Sequence, residues 1–153
     1  MLAPVDRRSQ VAVIGSGAEH EERAERVGRL LAARGCVVVT GGLGEVMAAA
    51  MRGAKSAGGT TIGILPGESR AQANPWCDHV VVTAIGHGRN LAVVASGDAV
   101  IAVGGSWGTL AEIGYARTLG RRVVVLEPGW EINGLDRAAT PEDAVERALA
   151  GLS

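Results

Sequence analysis

The sequence predicts an α/β protein: a three-layer α/β/α sandwich around a mainly parallel, six-stranded sheet. Short runs rich in Val, Ile and Ala alternate with helical patterns along the 153 residues, as strands covered by helices on both faces require. Composition agrees. Hydrophobic residues make up 47% of the chain and aromatic residues 3%, with no Phe and one Tyr, so the core must be aliphatic. The 23 glycines are about twice ordinary usage but follow no triplet period, which excludes collagen-like and disordered readings. The length suits one domain, 1–153, with one substantial core.

The expected strands are Val11–Ile14, Val37–Thr40, Thr60–Leu65, Val80–Thr83, Ala99–Val103 and Val123–Leu126, each nearly all apolar. Between the first two, Glu19–Arg34 places Ala24, Val27, Leu30 and Leu31 on one helical face and charged residues largely on the other, then stops at Gly35. A second helix, Ala48–Ala57, extends the stripe of Val46, Met47, Ala50, Met51 and Ala54 and ends at Gly58 and Gly59. Arg89–Ala95 and Thr109–Leu119 also fit helices. Thr140-Pro141-Glu142-Asp143 is a strong start signal for a closing helix over Ala144–Leu152, with Thr140 as cap, Pro141 in the first turn and two acids against the helix dipole. Segments 66–78 and 127–139 read as long loops. The lack of a long helix in 66–78 puts strand 80–83 at the edge beside 60–65. Strand 99–103 then lies next to 11–14, and the order of the sheet reverses between those two, where open α/β sheets bind ligands.

Glycine turns follow three of these strands: Gly15-Ser16-Gly17, Gly41-Gly42-Leu43-Gly44, and Gly104-Gly105-Ser106-Trp107-Gly108-Thr109. A strand that turns tightly into a helix leaves backbone N–H groups unpaired at the positive end of the dipole, and glycine lets an anion approach them. The expected phosphate-binding residues are therefore Gly15, Ser16, Gly17, Gly41, Gly42, Gly104, Gly105, Ser106, Trp107, Gly108 and Thr109. The last turn is the best candidate because Thr109 adds a hydroxyl. A Walker-type loop is absent. The first turn is not a full dinucleotide fingerprint, and Thr40 stands where a ribose-binding acid would, which argues against NAD chemistry.

Four ordered motifs are more specific. Thr40-Gly-Gly-Leu-Gly-Glu-Val-Met47, Ala57-Gly-Gly-Thr-Thr-Ile-Gly-Ile-Leu-Pro66, Arg89-Asn90 and Gly104-Gly-Ser-Trp-Gly-Thr-Leu-Ala-Glu112 together resemble the LOG-like (LONELY GUY) superfamily, often labelled lysine decarboxylase. The nearest resemblance is to its short branch, related to the DNA-processing protein DprA and to molybdenum-cofactor carrier proteins. The resemblance runs from about Val11 to Glu127. In the superfamily pattern Pro-Gly-Gly-x-Gly-Thr-x-x-Glu, Gly104 here replaces the proline and Ser106 the second glycine, while Gly105, Gly108, Thr109 and Glu112 match.

The resemblance implies a Rossmann-like nucleotide site. For the cytokinin-activating members it implies a phosphoribohydrolase that cleaves nucleoside 5′-monophosphates to free base and ribose 5-phosphate. By position Glu112 matches their catalytic glutamate and Arg89 their catalytic arginine. Lysine follows the arginine in those enzymes, whereas Asn90 follows it here. A carboxylate can stabilise the cationic ribose of glycosidic cleavage, and an arginine can orient the ligand through its fixed fork of donors.

Three functions compete: a hydrolase using Glu112 and Arg89, a non-catalytic binder of a nucleotide or molybdenum cofactor, and a single-stranded DNA binder. The formal charge of −1 and the scarcity of aromatics argue against DNA, which needs a basic groove and stacking platforms. Intact loop chemistry beside altered catalytic neighbours favours a binder of a small phosphate-bearing ligand. No cofactor is required, and a nucleotide or molybdenum cofactor is the ligand such a site would take. Lysine decarboxylation needs a Schiff-base lysine, and the one lysine, Lys55, sits at the helix end away from the glycine turns. His20, His79 and His87 lack metal-ligand spacing, so no metal is expected. Trp107, and less so Trp76, is a candidate for stacking on a base. Two isolated cysteines, no secretory leader pattern and no apolar run long enough for a membrane span suggest a cytoplasmic protein. Apolar helix faces suggest a homo-oligomer, dimer or tetramer.

Overall fold

The computed structural model describes residues 7–152. In chain order the elements are β1 (Gln10–Ser16), α1 (Glu21–Ala33), β2 (Val37–Thr40), α2 (Val46–Ser56), β3 (Thr61–Leu65), β4 (His79–Val82), α3 (Arg89–Ala95), β5 (Ala99–Gly104), α4 (Trp107–Thr118), β6 (Arg122–Leu126), β7 (Asp136–Ala138) and α5 (Pro141–Leu149). Short 3-10 turns at Ala18–His20, Arg70–Gln72 and Gly86–Gly88 lead into or between them.

All strands join one parallel sheet in the order β4-β3-β2-β1-β5-β6-β7. The order reverses between β1 and β5, as the loop lengths predicted. The strand alternation sorts the core into two layers. Val11, Val13, Val38, Ile101 and Val103 pack against α1, α2 and α5 through Val27, Leu31, Ala50 and Val145. Their neighbours Ala12, Ile14, Val39, Val100 and Ala102 pack against α3 and α4 through Val93, Val94, Ile113 and Ala116. A period of two on strands buried on both faces produces this division.

Three expectations need correction. The sheet has seven strands, not six, because Asp136–Ala138 pairs with β6 (Val124 with Asp136, Leu126 with Ala138) inside the segment expected to be a loop. Asp-Arg-Ala has no apolar run to announce a strand. The unpaired edge of β6 organises it, and the Glu127 N–H donates to the Ala138 carbonyl at 2.8 Å. Second, β4 is largely exposed despite its valines, as the edge position leaves it. Third, α4 begins at Trp107 rather than Thr109, so the third glycine turn runs directly into the helix. The closing helix starts as its signal predicted: Thr140 Oγ1 accepts from the Asp143 N–H at 3.1 Å and Pro141 opens α5. No helix among the described residues is long and apolar enough to cross a membrane.

Candidate functional site

The glycine turns after β1, β2 and β5 meet at the carboxyl edge of the sheet, but their backbone donors differ in availability. Gly15 serves close packing: a Cβ there would lie 1.9 Å from the Val103 carbonyl oxygen, so only glycine lets β1 leave the sheet alongside β5. The Gly17 N–H donates to Glu45 Oε2 at 2.7 Å. Glu45 ends the second turn at φ +54°, a conformation that favours glycine, and thus holds its carboxylate on the first turn. Gly41 and Gly42 are buried, and the Gly42 N–H donates to Thr40 Oγ1 at 3.0 Å. The third turn is open. Ser106, Trp107 and Gly108 are exposed, and Ser106 caps α4 without a side-chain hydrogen bond, so the first amides of this helix stay available to an anion. Thr109 is buried behind Gly105.

Arg89 and Glu112 come together. With Gly15, Gly41, Val13, Ile14 and Met47 they line a small cavity of about 70 Å³ at the switch point. The missing Cβ of Gly41 makes room for the guanidinium, since a methyl group there would lie 2.7 Å from Arg89 Nη2. Arg89 donates through Nη1 to Asn90 Oδ1, while its buried Nε has no hydrogen-bond partner among the described residues. Burial lowers the Arg89 pKa, and the charge of Glu112 opposes that shift. Burial likewise pushes the Glu112 carboxyl up to about 7, and the Arg89 charge only partly offsets it. No ion pair joins the two within 4 Å among the described residues. Glu112 also faces a larger cavity of about 370 Å³, bounded by Gly88, Asn90, Leu91, Gly108 and Tyr115.

Several further placements matter. Trp107 is 76% exposed and sits 5.5 Å, centroid to centroid, from Trp130. Trp76 lies at the opposite edge of the sheet, where its carbonyl accepts from Thr61 Oγ1 at the start of β3, and Arg52 covers its ring. It is therefore remote from the turns. Lys55 pairs with Asp78 at 2.8 Å at the far end of α2. His20 packs on Gly104 and meets Arg23 through Nδ1.

Sequence reasoning missed Glu45 and Trp130. Glu45 was visible as the only acid within a glycine turn. Trp130 gave only the signal of the single aromatic residue in segment 127–139.

The sheet order, the switch point and the Gly105–Glu112 segment define a LOG-like α/β protein. The chain belongs to the SLOG cluster4 family, whose profile matches residues 8–149. It is 44% identical over 144 residues to an uncharacterized protein of Archaeoglobus fulgidus, covering 92% of this chain and 95% of that one. It is 34% identical over 128 residues to the cytokinin riboside 5′-monophosphate phosphoribohydrolase of Mycobacterium tuberculosis, covering 77% and 68% respectively.

Among solved structures, the molybdenum cofactor binding protein of Rippkaea orientalis superimposes with a TM-score of 0.89 at 31% identity, over 96% of this chain and 99% of that one. The molybdenum cofactor carrier protein of Chlamydomonas reinhardtii follows at 0.84 and 31%, over 94% and 99%. DNA processing protein A of Streptococcus pneumoniae, 21% identical with a TM-score of 0.75, shares the fold over 62% of its length.

Proposed function

We propose that this protein binds a small phosphate-bearing ligand, a nucleotide or a molybdenum cofactor, at its switch point. The open amides of Gly105–Thr109 and the Arg89 guanidinium grip the phosphate, while Gly15, Ser16, Gly17, Gly41, Gly42 and Gly104 shape the surrounding wall. One observation carries this reading: a half-buried arginine between glycine turns has no ion pair among the described residues. A partly desolvated cation without a counter-ion is costly, and an anion supplies the missing charge. The likeness to two molybdenum-cofactor proteins supports the ligand class. The donor set fits such a cofactor's phosphate, and when bound the cofactor supplies its own redox chemistry while the chain only holds it. A reducing, cytoplasmic setting fits the two free cysteines.

Inorganic phosphate should raise the melting temperature of the wild-type protein, and Arg89→Ala should weaken phosphate binding by about tenfold or more. Calorimetry in which phosphate and nucleoside monophosphates all fail to bind would overturn the reading.

A second reading, a phosphoribohydrolase, is favoured by Glu112 alone. A carboxyl titrating near neutrality can give a proton to a leaving base or take one from water. Incubation with AMP should then release adenine, and Glu112→Gln should abolish the release. Absence of free base leaves the binding reading in place.

A further inference from the structure

A second cation beside the glycine turns lacks a carboxylate. Arg23, half-buried on α1, donates to the Glu127 carbonyl, to the Pro128 carbonyl at 3.5 Å and to His20 Nδ1. No ion pair holds it within 4 Å among the described residues. Its charge is therefore partly desolvated and uncompensated, and burial lowers its pKa.

His20 carries the influence of that charge to the turns. Its ring fills the space that two missing Cβ atoms leave: a Cβ at Gly17 would lie 2.9 Å from His20 Cδ2, and one at Gly104 would lie 2.1 Å from Cδ2 and 2.7 Å from Nε2. The imidazole is thus wedged between the first and third turns. An arginine can only donate, so Nδ1 accepts and the ring proton stands on Nε2. Nε2 is not a polar atom sealed from solvent without a partner. Its one ionic neighbour among the described residues is Glu19 Oε1 at 3.4 Å, on a side chain 73% exposed, and a surface contact of that kind holds weakly. The ring lines a cavity of about 340 Å³ together with Gly104, Gly105 and Glu131. Glu131 is itself exposed and pairs with Arg137 at 3.6 Å, so both carboxylates can turn into solvent as an anion enters.

We propose that His20 is a further ligand-contacting residue: its Nε2–H donates to the anionic group seated on the third turn, on the flank bounded by Gly104 and Gly105. Arg23 is the positioning residue, fixing the tautomer and backing the donor with its charge. The proposal rests on the phosphate reading above and adds to it a side-chain donor that the sequence motifs do not contain. The same packing explains why Gly17 and Gly104 must lack side chains, since either Cβ would displace the ring from the turn.

The test is calorimetric titration of the full chain with inorganic phosphate at fixed pH, as wild type, His20→Gln and His20→Leu, with the imidazole nitrogen resonances followed in parallel. Glutamine puts an amide N–H close to the place of Nε2, whereas leucine fills the space without a donor. His20→Leu should weaken phosphate binding about tenfold and His20→Gln by less than about threefold. In the wild type Nε2 should be the protonated nitrogen, and its resonance should move as phosphate is added. In Arg23→Met the proton should spread onto Nδ1, a change that loss of packing alone would not produce; an unaltered nitrogen pattern there would overturn the positioning role. If His20→Leu binds phosphate as the wild type does, if both His20 substitutions weaken it equally, or if the Nε2 resonance stays in place at saturation, the proposal fails while the phosphate reading stands. Should His20→Leu not fold, the wild-type Nε2 resonance decides alone. If the wild type binds no phosphate, both fail.

Discussion

Glu112 makes the site sensitive to pH, and the sign follows from its environment. Its carboxyl titrates near 7 in the folded chain against an ordinary value of 4.5, chiefly because burial disfavours the charged form. Between those values the folded state holds more of the proton than the unfolded state does. Stability attributable to this group is therefore greatest below pH 4.5 and is lost as pH rises through 7, by on the order of 3 kcal/mol. Urea denaturation at pH 5 and pH 8 should show this fall in the wild type and a flatter profile in Glu112→Gln. Under the proposed function the same charge opposes anion binding at Arg89. Sulfate, whose own charge is constant over this range, should bind Arg89 more weakly at pH 8 than at pH 6, and Glu112→Gln should remove the difference. Equal pH profiles for the two proteins would show that the carboxyl is not held neutral by burial. Arg89 and Glu112 were legible because each falls inside an ordered motif. Glu45 was not, because its hydrogen bond to Gly17 spans two different turns and depends on a backbone conformation that residue type alone would not suggest.

At the scale of elements, α1 and α2 pack unusually closely through glycine. A Cβ at Gly28 would fall 1.8 Å from the Ala50 carbonyl oxygen, and one at Gly53 would fall 1.9 Å from that of Glu25. Neither neighbour is the end of a flexible side chain, so the helices must separate to admit a methyl group. Gly28→Ala or Gly53→Ala should cost about 1–3 kcal/mol of stability despite the better helix propensity of alanine, measured by urea denaturation. Thr140→Ala should cost about 1 kcal/mol through loss of the α5 cap. The cap was plain in the sequence because its whole mechanism lies within four neighbouring residues. The strand β7 was invisible because its backbone partners lie on β6, and pairing rather than side-chain pattern makes it a strand. The close approach of α1 and α2 was equally hidden, since the glycines read only as weak points within helical patterns.

For the whole molecule, the two helical layers leave an unequal surface. Leu91 on α3 and Tyr115 on α4 are exposed together beside the cavity that Glu112 faces, with Leu119 exposed just beyond α4. The expected homo-oligomer would bury this face. Sedimentation equilibrium should give a mass above that of one 15.6 kDa chain, and Tyr115→Glu should return it toward the monomer. A wild-type protein that sediments as a monomer at micromolar concentration would rule this out. The alternation of apolar runs and helical stripes determined by itself the α/β class, the strand neighbours and the switch point, because each depends on local periodicity and on the length of chain between elements. The ordered motifs likewise determined which residues stand near the site. Only the tertiary structure decided which glycine turn is open, since the competing partners of the N–H groups, Glu45 for the first turn and Thr40 for the second, are fixed by the folded path of the chain. It also placed Trp130 behind the third turn and left Arg89 without an ionic partner among the described residues. These are properties of distance and burial, and a linear pattern of residue types carries neither.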